Sequence, residues 1–152
     1  MEASKVMLDN EGNEIPPAII TYSDHYALVD LNQPWQFNSL NETMVNYLRK
    51  QAPKFAPFAA VILTAKGSSF CSGNNIRWLT KEYLANGRES ARLKAKELFK
   101  EEFTLAYEFA TMRPIQISIW DGYVIGSGAG ISLFSPIKVA TERSMFSVPR
   151  TQ

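Results

Sequence analysis

Strands alternating with helices along this chain predict an α/β fold, and three observations carry that expectation. Short runs rich in β-branched and aromatic residues, such as "AIITY", "FAAVILTA" and "IQISIW", are bounded by Pro, Gly, Ser or Asn. Between them lie stretches whose apolar residues recur at threes and fours, the period of a helix with one buried face. Strands linked through helices rather than tight turns pair in parallel, because the chain must cross back before pairing again.

Taken in order, residues 1–17 are polar and end in Pro16-Pro17, a leader arm ahead of a folded part at 18–152. "AIITY", the turn signal Ser23-Asp24 and "HYALVDL" read as a β-hairpin, and "NQPWQFN" as a loop. Ser39-Leu40-Asn41-Glu42 matches a capping box, predicting a helix that starts there, runs through "MVNYLRKQA" and stops before Pro53. "FAAVILTA" is the clearest strand, and "SSFCSGNN" after it reads as an exposed loop of small residues. "IRWLTKEYL" suits a short helix ended near Asn86-Gly87, followed by the longest helical signal, "ESARLKAKELFKEEFTLAYEFATM". Its apolar face is read at Leu98, Phe99, Phe103, Ala106, Tyr107 and Ala110. "IQISIW" is a further strand, "DGYVIGSGAG" a turn into a second glycine-rich loop, "ISLF" the first turn of a helix, and "IKVA" and "MFSV" two last strands.

The totals narrow the function classes. The chain has 152 residues, 45% apolar and 20% charged, with a net charge of +1. That is enough for one domain with a real core. Scattered Lys and Arg give no electrostatic footprint for nucleic acid or an anionic membrane, so no direct nucleic-acid binding is expected. No apolar stretch reaches the length of a membrane span. The N-terminal run lacks the apolar core of a secretory signal, and Glu2, Asp9, Glu11 and Glu14 argue against an uncleaved mitochondrial presequence. A single cysteine excludes an internal disulfide and fits a reducing, intracellular compartment.

Four chemistries compete for the two glycine-rich loops. A nucleophilic Cys71 needs a base and a lowered pKa, and the one histidine, His25, lies in the first hairpin. One Cys and one His without paired spacing make no zinc site. A dinucleotide fingerprint needs glycine three residues after Gly128, where Ile131 stands, and belongs in the first βα turn. Two loops that each follow a strand and expose backbone amides suit an oxyanion hole, where paired N–H groups meet the charge growing on a carbonyl oxygen. On composition alone the plainer account holds as well: two tight turns whose glycines permit a positive φ.

"VILTAKGSSFCSGNNIRWL" and "RPIQISIWDGYVIGSGAGISLFSPIKVATERSMFSVP" resemble the two oxyanion segments of the crotonase (enoyl-CoA hydratase/isomerase) superfamily, over about residues 18 to 150. "LFKEEFTLAYEFATMRPI" and "KVATERSMFSVP" are most similar to its 3-hydroxyisobutyryl-CoA hydrolases, and Gly130 stands where hydratases carry a catalytic glutamate and the hydrolases glycine. The resemblance implies the N-terminal part of a ββα spiral fold, incomplete in this chain. It implies that the amides of Asn74 and Ser127 form the oxyanion hole for a coenzyme A thioester. Trp35, Gln36 and Phe37, with Ser72, Gly73, Asn75 and Ile76, would lie along the coenzyme A.

Departures from the pattern point elsewhere. The two oxyanion positions are usually small, Gly or Ala and then Gly; here they are Asn74 and Ser127, and a positive φ at Ser127 would cost about 1 kcal/mol. Gln33 replaces a common arginine. Arg150 stands at the hydrolases' catalytic glutamate and, always protonated, can be neither base nor carboxylate nucleophile. The resemblance therefore implies a pseudoenzyme in a multisubunit complex, mitochondrial like its relatives. A protein partner, a second crotonase-like chain or subunits of a large complex, would cover apolar faces such as Phe99-Phe103-Tyr107. The other expectation is an acyl-CoA thioester hydrolase whose site another chain or a C-terminal half completes.

Overall fold

The computed structural model describes residues 11–148; residues 1–10 of the polar arm, Pro149, Arg150 and the last two residues lie outside that range. The hairpin forms as read: β1 (Ala18–Tyr22) and β2 (Tyr26–Leu31) pair antiparallel, with Ser23 N–H donating to Tyr26 O across the turn at 2.9 Å. From there the chain repeats one unit. A strand joins a large sheet, a tight turn follows, a short strand joins a second sheet, and a helix or turn leads back. The pairs are β3 (Ala60–Ala65) with β4 (Ser69–Cys71), β5 (Ile115–Trp120) with β6 (Tyr123–Ile125), and β7 (Ile137–Ala140) with β8 (Met145–Ser147).

The large sheet has the order β1-β2-β3-β5-β7 and the small one β4-β6-β8. Every pairing beyond the first hairpin is parallel, the expected consequence of crossover connections. Successive turns stack closely: a Cβ on Gly122, in the β5–β6 turn, would lie 2.0 Å from Ser68 O of the β3–β4 turn. No residue but glycine lets the two units approach at this separation.

The strand at Ser69–Cys71 corrects the reading of "SSFCSGNN" as a bare loop. Its three residues are buried, and only the chain from Ser72 onward is loop. Three residues are too short a run for periodicity to register.

Helix α1 (Glu42–Gln51) begins later than the Ser39 cap expected from sequence. Asn41 is the cap, its Oδ1 accepting from Met44 N–H at 2.8 Å. Leu40 is fully buried and its N–H donates to Gly73 O at 2.8 Å, which holds Leu40 in an isolated parallel bridge with Asn74 and delays the helix. Met44, Val45 and Leu48 face the core, and Arg49 pairs with Glu101 and, at 3.0 Å, with Glu108 of the next helix.

Helix α2 spans Ile76–Thr111 with one break, Gly87 at φ 80 and ψ 177, where the sequence places the boundary between two helices. Glu82 braces the break by accepting from Asn86, Ser90 and Lys94 at 2.9, 2.7 and 2.8 Å. The buried stripe differs from the one expected. Leu105 and Phe109 are in the core with Leu98 packed against it, whereas Phe103 and Tyr107 are 67% and 69% exposed. A 36-residue helix with apolar residues on two sides has two candidate inner faces, and α1 and the sheet select one.

Helix α3 is one turn, Ser127–Gly130, within the glycine-rich run itself; "ISLF" continues it as hydrogen-bonded turns rather than starting a helix. The core runs between the sheets and helices through Val29, Leu31, Val61, Leu63, Leu48, Phe55, Phe70 and Phe109. Among the described residues no helix is long and apolar enough to cross a membrane, and no three His, Cys, Asp or Glu gather as metal ligands.

Candidate functional site

Two loops meet beyond the ends of the small sheet's strands. The first leaves β4 at Ser72 and enters α2; the second leaves β6 at Gly126 and enters α3. They are in contact: a Cβ on Gly73 would lie 2.8 Å from Ile125 O and 3.4 Å from Ser127 N. Lower in the same seam a Cβ on Gly128 would lie 2.5 Å from Cys71 O.

Gly126 carries the unusual backbone, φ 54 and ψ −117, so Ser127 follows with an ordinary negative φ. The strain considered for Ser127 is thus absent, because the preceding glycine absorbs the sharp turn. Among the described residues no backbone carbonyl accepts from the Asn74 or Ser127 amide outside regular elements. The side chains, by contrast, are engaged: Ser127 Oγ donates to Asn74 Oδ1 at 3.0 Å, across the seam.

The segment expected to lie along a coenzyme A sits beside the first loop. Pro34–Gln36 is a single 3₁₀ turn, followed by left-handed Phe37 and Asn38, both at φ 52. Asn38 is fully buried and explains the strained pair. Its Oδ1 accepts from Gln33 N–H at 2.7 Å, and its Nδ2 donates to Lys66 O and Ser69 O at 2.9 and 2.7 Å. The segment is thereby fastened to the β3–β4 turn. Ser72 N–H donates to Phe37 O at 3.0 Å and Asn75 Nδ2 to Gln36 Oε1 at 3.3 Å. Trp35 and Phe37 are 41% and 53% exposed, two aromatic surfaces beside the seam. Gln33, in the place of the arginine, is buried and accepts from Asn41 Nδ2 at 2.9 Å. Ile76 opens α2, and its side chain lies outside the described set.

Two buried groups complete the site. Cys71 is fully buried, and burial pushes its thiol up to about 12, so at neutral pH it is an inert small hydrophobe. His25 precedes β2, and β2 and β3 are parallel, so the hairpin turn lies at the start of β3, the end away from its turn into β4.

The second group, Glu102 of α2, is the residue that sequence reading missed. It is 3% exposed, and among the described residues its Oε2 has no hydrogen-bond partner. Burial raises its carboxyl above the usual carboxylate range, and the nearby Ser127 hydroxyl partly offsets this. A signal was available: Leu98, Glu102, Leu105 and Phe109 follow helical spacing, so an acid sits in the middle of the true apolar stripe. Arg150 lies outside the described residues.

Comparisons with known proteins converge on one family. The sequence profile described as enoyl-CoA hydratase/isomerase matches residues 26–152. The chain is 31% identical to "Small ribosomal subunit protein mS47" of Neurospora crassa, over 99% of this chain and 30% of that protein. It is 30% identical to "3-hydroxyisobutyryl-CoA hydrolase, mitochondrial" of Rattus norvegicus, over 82% of this chain and 32% of that one. Solved structures share the fold: Pseudomonas aeruginosa AtuE has a TM-score of 0.75 at 23% identity, covering 88% of this chain and 51% of its own. An enoyl-CoA hydratase from Bacillus anthracis has a TM-score of 0.74 at 22% identity, with 87% and 50% covered. The chain thus spans about a third of these curated relatives and half of these solved structures, so the fold present is a partial one.

Proposed function

Because the chain belongs to the enoyl-CoA hydratase/isomerase family, we propose that it is a degenerate, 3-hydroxyisobutyryl-CoA hydrolase-like subunit with a structural role in a larger assembly. The observation that carries the reading is Arg150, at the position equated by resemblance with the hydrolases' catalytic glutamate. A guanidinium neither takes up a proton nor attacks a thioester. Loss of general acid/base help alone lowers a rate by roughly 10²- to 10⁴-fold. The match to a ribosomal subunit protein over 99% of this chain supports the same reading. So do the exposed Phe103, Tyr107, Phe134 and Phe146, apolar surface of the kind that a neighbouring protein subunit covers. The name of the rat hydrolase favours a mitochondrial location. Incubation of the purified chain with 3-hydroxyisobutyryl-CoA tests the proposal: no release of free coenzyme A above background is expected, and repeated turnover would overturn it.

A second reading, an acyl-CoA thioester hydrolase completed by another chain or by a C-terminal half, draws on the loops and aromatic segment that meet at the seam. Glu102 would then be the carboxylate that this chain contributes. Calorimetric titration of the chain and of its native complex with a coenzyme A thioester decides this reading, which fails if both are silent.

A further inference from the structure

The two residues that depart from the small residues of the oxyanion loops are bonded to each other. Asn74 leaves β4 and Ser127 leaves β6, and their side chains meet at 3.0 Å. A serine Oγ stays within about 4 Å of its own amide nitrogen in every staggered rotamer. A ligand oxygen held by that amide at about 2.9 Å would lie close beside this hydroxyl. Asn74 adds a carbonyl oxygen on the facing loop, one bond further from its own backbone. We propose that Asn74 and Ser127 form a clamp that closes the acyl site from within, setting the protein's own side-chain oxygens before the two amides that would otherwise receive a thioester carbonyl.

Chemistry reinforces the obstruction. Ser127 has one O–H donor, and Asn74 Oδ1 takes it. Behind it stands Glu102, 3% exposed and with one oxygen unpartnered among the described residues. A protonated Glu102 would donate to Ser127 Oγ, leaving that hydroxyl's own O–H on Asn74 Oδ1, so that the two loops are held together. An ionised Glu102 brings a negative charge. Either way, acceptor oxygens line the place where an oxyanion would gather charge, the reverse of what its stabilisation requires. The clamp makes the seam a structural joint and leaves the outer surface of Trp35 and Phe37 untouched.

This inference rests on the structural reading above, and the test separates the two. The intact chain and its N74A/S127G form are titrated calorimetrically with acetyl-CoA and with free coenzyme A. Acetyl-CoA should bind the double variant at least about tenfold more tightly than the unaltered chain, with free coenzyme A changed less than threefold. S127A, which keeps a helical backbone and loses only the hydroxyl, should move in the same direction by a smaller factor. It serves as the test if the double variant does not fold. Equal acetyl-CoA affinity in the unaltered chain and the variants, with silence in all of them counted as equal, overturns the clamp and leaves the structural reading in place. Thioester turnover by the unaltered chain overturns the structural reading.

Discussion

Phe109 and Phe103 belong to the same helix, yet one is 1% exposed and edge-on to Phe55 while the other is 67% exposed and stacked on Phe99. The sheet repeats the contrast. β2 and β3 bury Val29, Leu31, Val61 and Leu63 completely, whereas every residue of β7 and β8 is exposed, Val139 at 46% and Phe146 at 50%. Similar apolar residues therefore do different work. Where α1, α2 and the two sheets surround them they hold the fold; on the outer face of α2 and at β7 and β8 they stay exposed. The difference lies in coverage rather than in residue type.

The contrast breaks or sharpens under substitution, with the largest effect in the covered region. F109A should destabilise the chain by about 3–5 kcal/mol, whereas F134S, at a residue 67% exposed, should stay within about 0.5 kcal/mol. Urea unfolding checks both, and similar costs would mean that the exposed side is packed after all. G128A comes next, because a Cβ there meets Cys71 O at 2.5 Å and Cys71 Cβ at 2.7 Å. Overpacking against backbone should cost about 1–3 kcal/mol in the same measurement.

E102Q tests the buried acid between the two regions. Its folded pKa is raised, so the folded state holds the proton more tightly than the unfolded chain does. Stability from this group is intact at low pH and declines as pH rises from the unfolded value through the folded one. The neighbouring Cys71 thiol is neutral throughout, and the Ser127 hydroxyl does not titrate. Thermal unfolding should show E102Q more stable than the unaltered chain at pH 7, by on the order of 1 kcal/mol, and no more stable near pH 4. The smallest effect is the coupling of Asn74 with Ser127. A double-mutant cycle with N74A and S127A should give about 0.5–1.5 kcal/mol, and additive effects would show that the contact carries no energy.

The fold's repeating units were legible because their strands are apolar, their helices periodic and their punctuation strong. "FAAVILTA", "IQISIW" and the hairpin strands all form where local pattern places them. Gly87 divides the long helical stretch as read, since no side chain favours its φ of 80. The helix start at Asn41 was not legible, because the competitor of Ser39 is a bond from Leu40 to Gly73, remote in sequence. Strand β4 escaped notice because three residues have no period.

Local pattern thus determined the element types, the parallel pairing and the presence of two small-residue loops, all of which depend on residues close together along the chain. Sequence also puts an arginine, Arg150, at the position that the resemblance equates with the hydrolases' glutamate, and a guanidinium cannot replace a carboxylate. Only the tertiary structure decided which face of α2 turns inward, because two faces were apolar and the choice belongs to what packs against them. It alone carried Glu102 to the seam and joined Asn74 to Ser127 across two loops. Those contacts depend on how separate units stack, and stacking is set by distances between backbones that no run of neighbouring residues encodes.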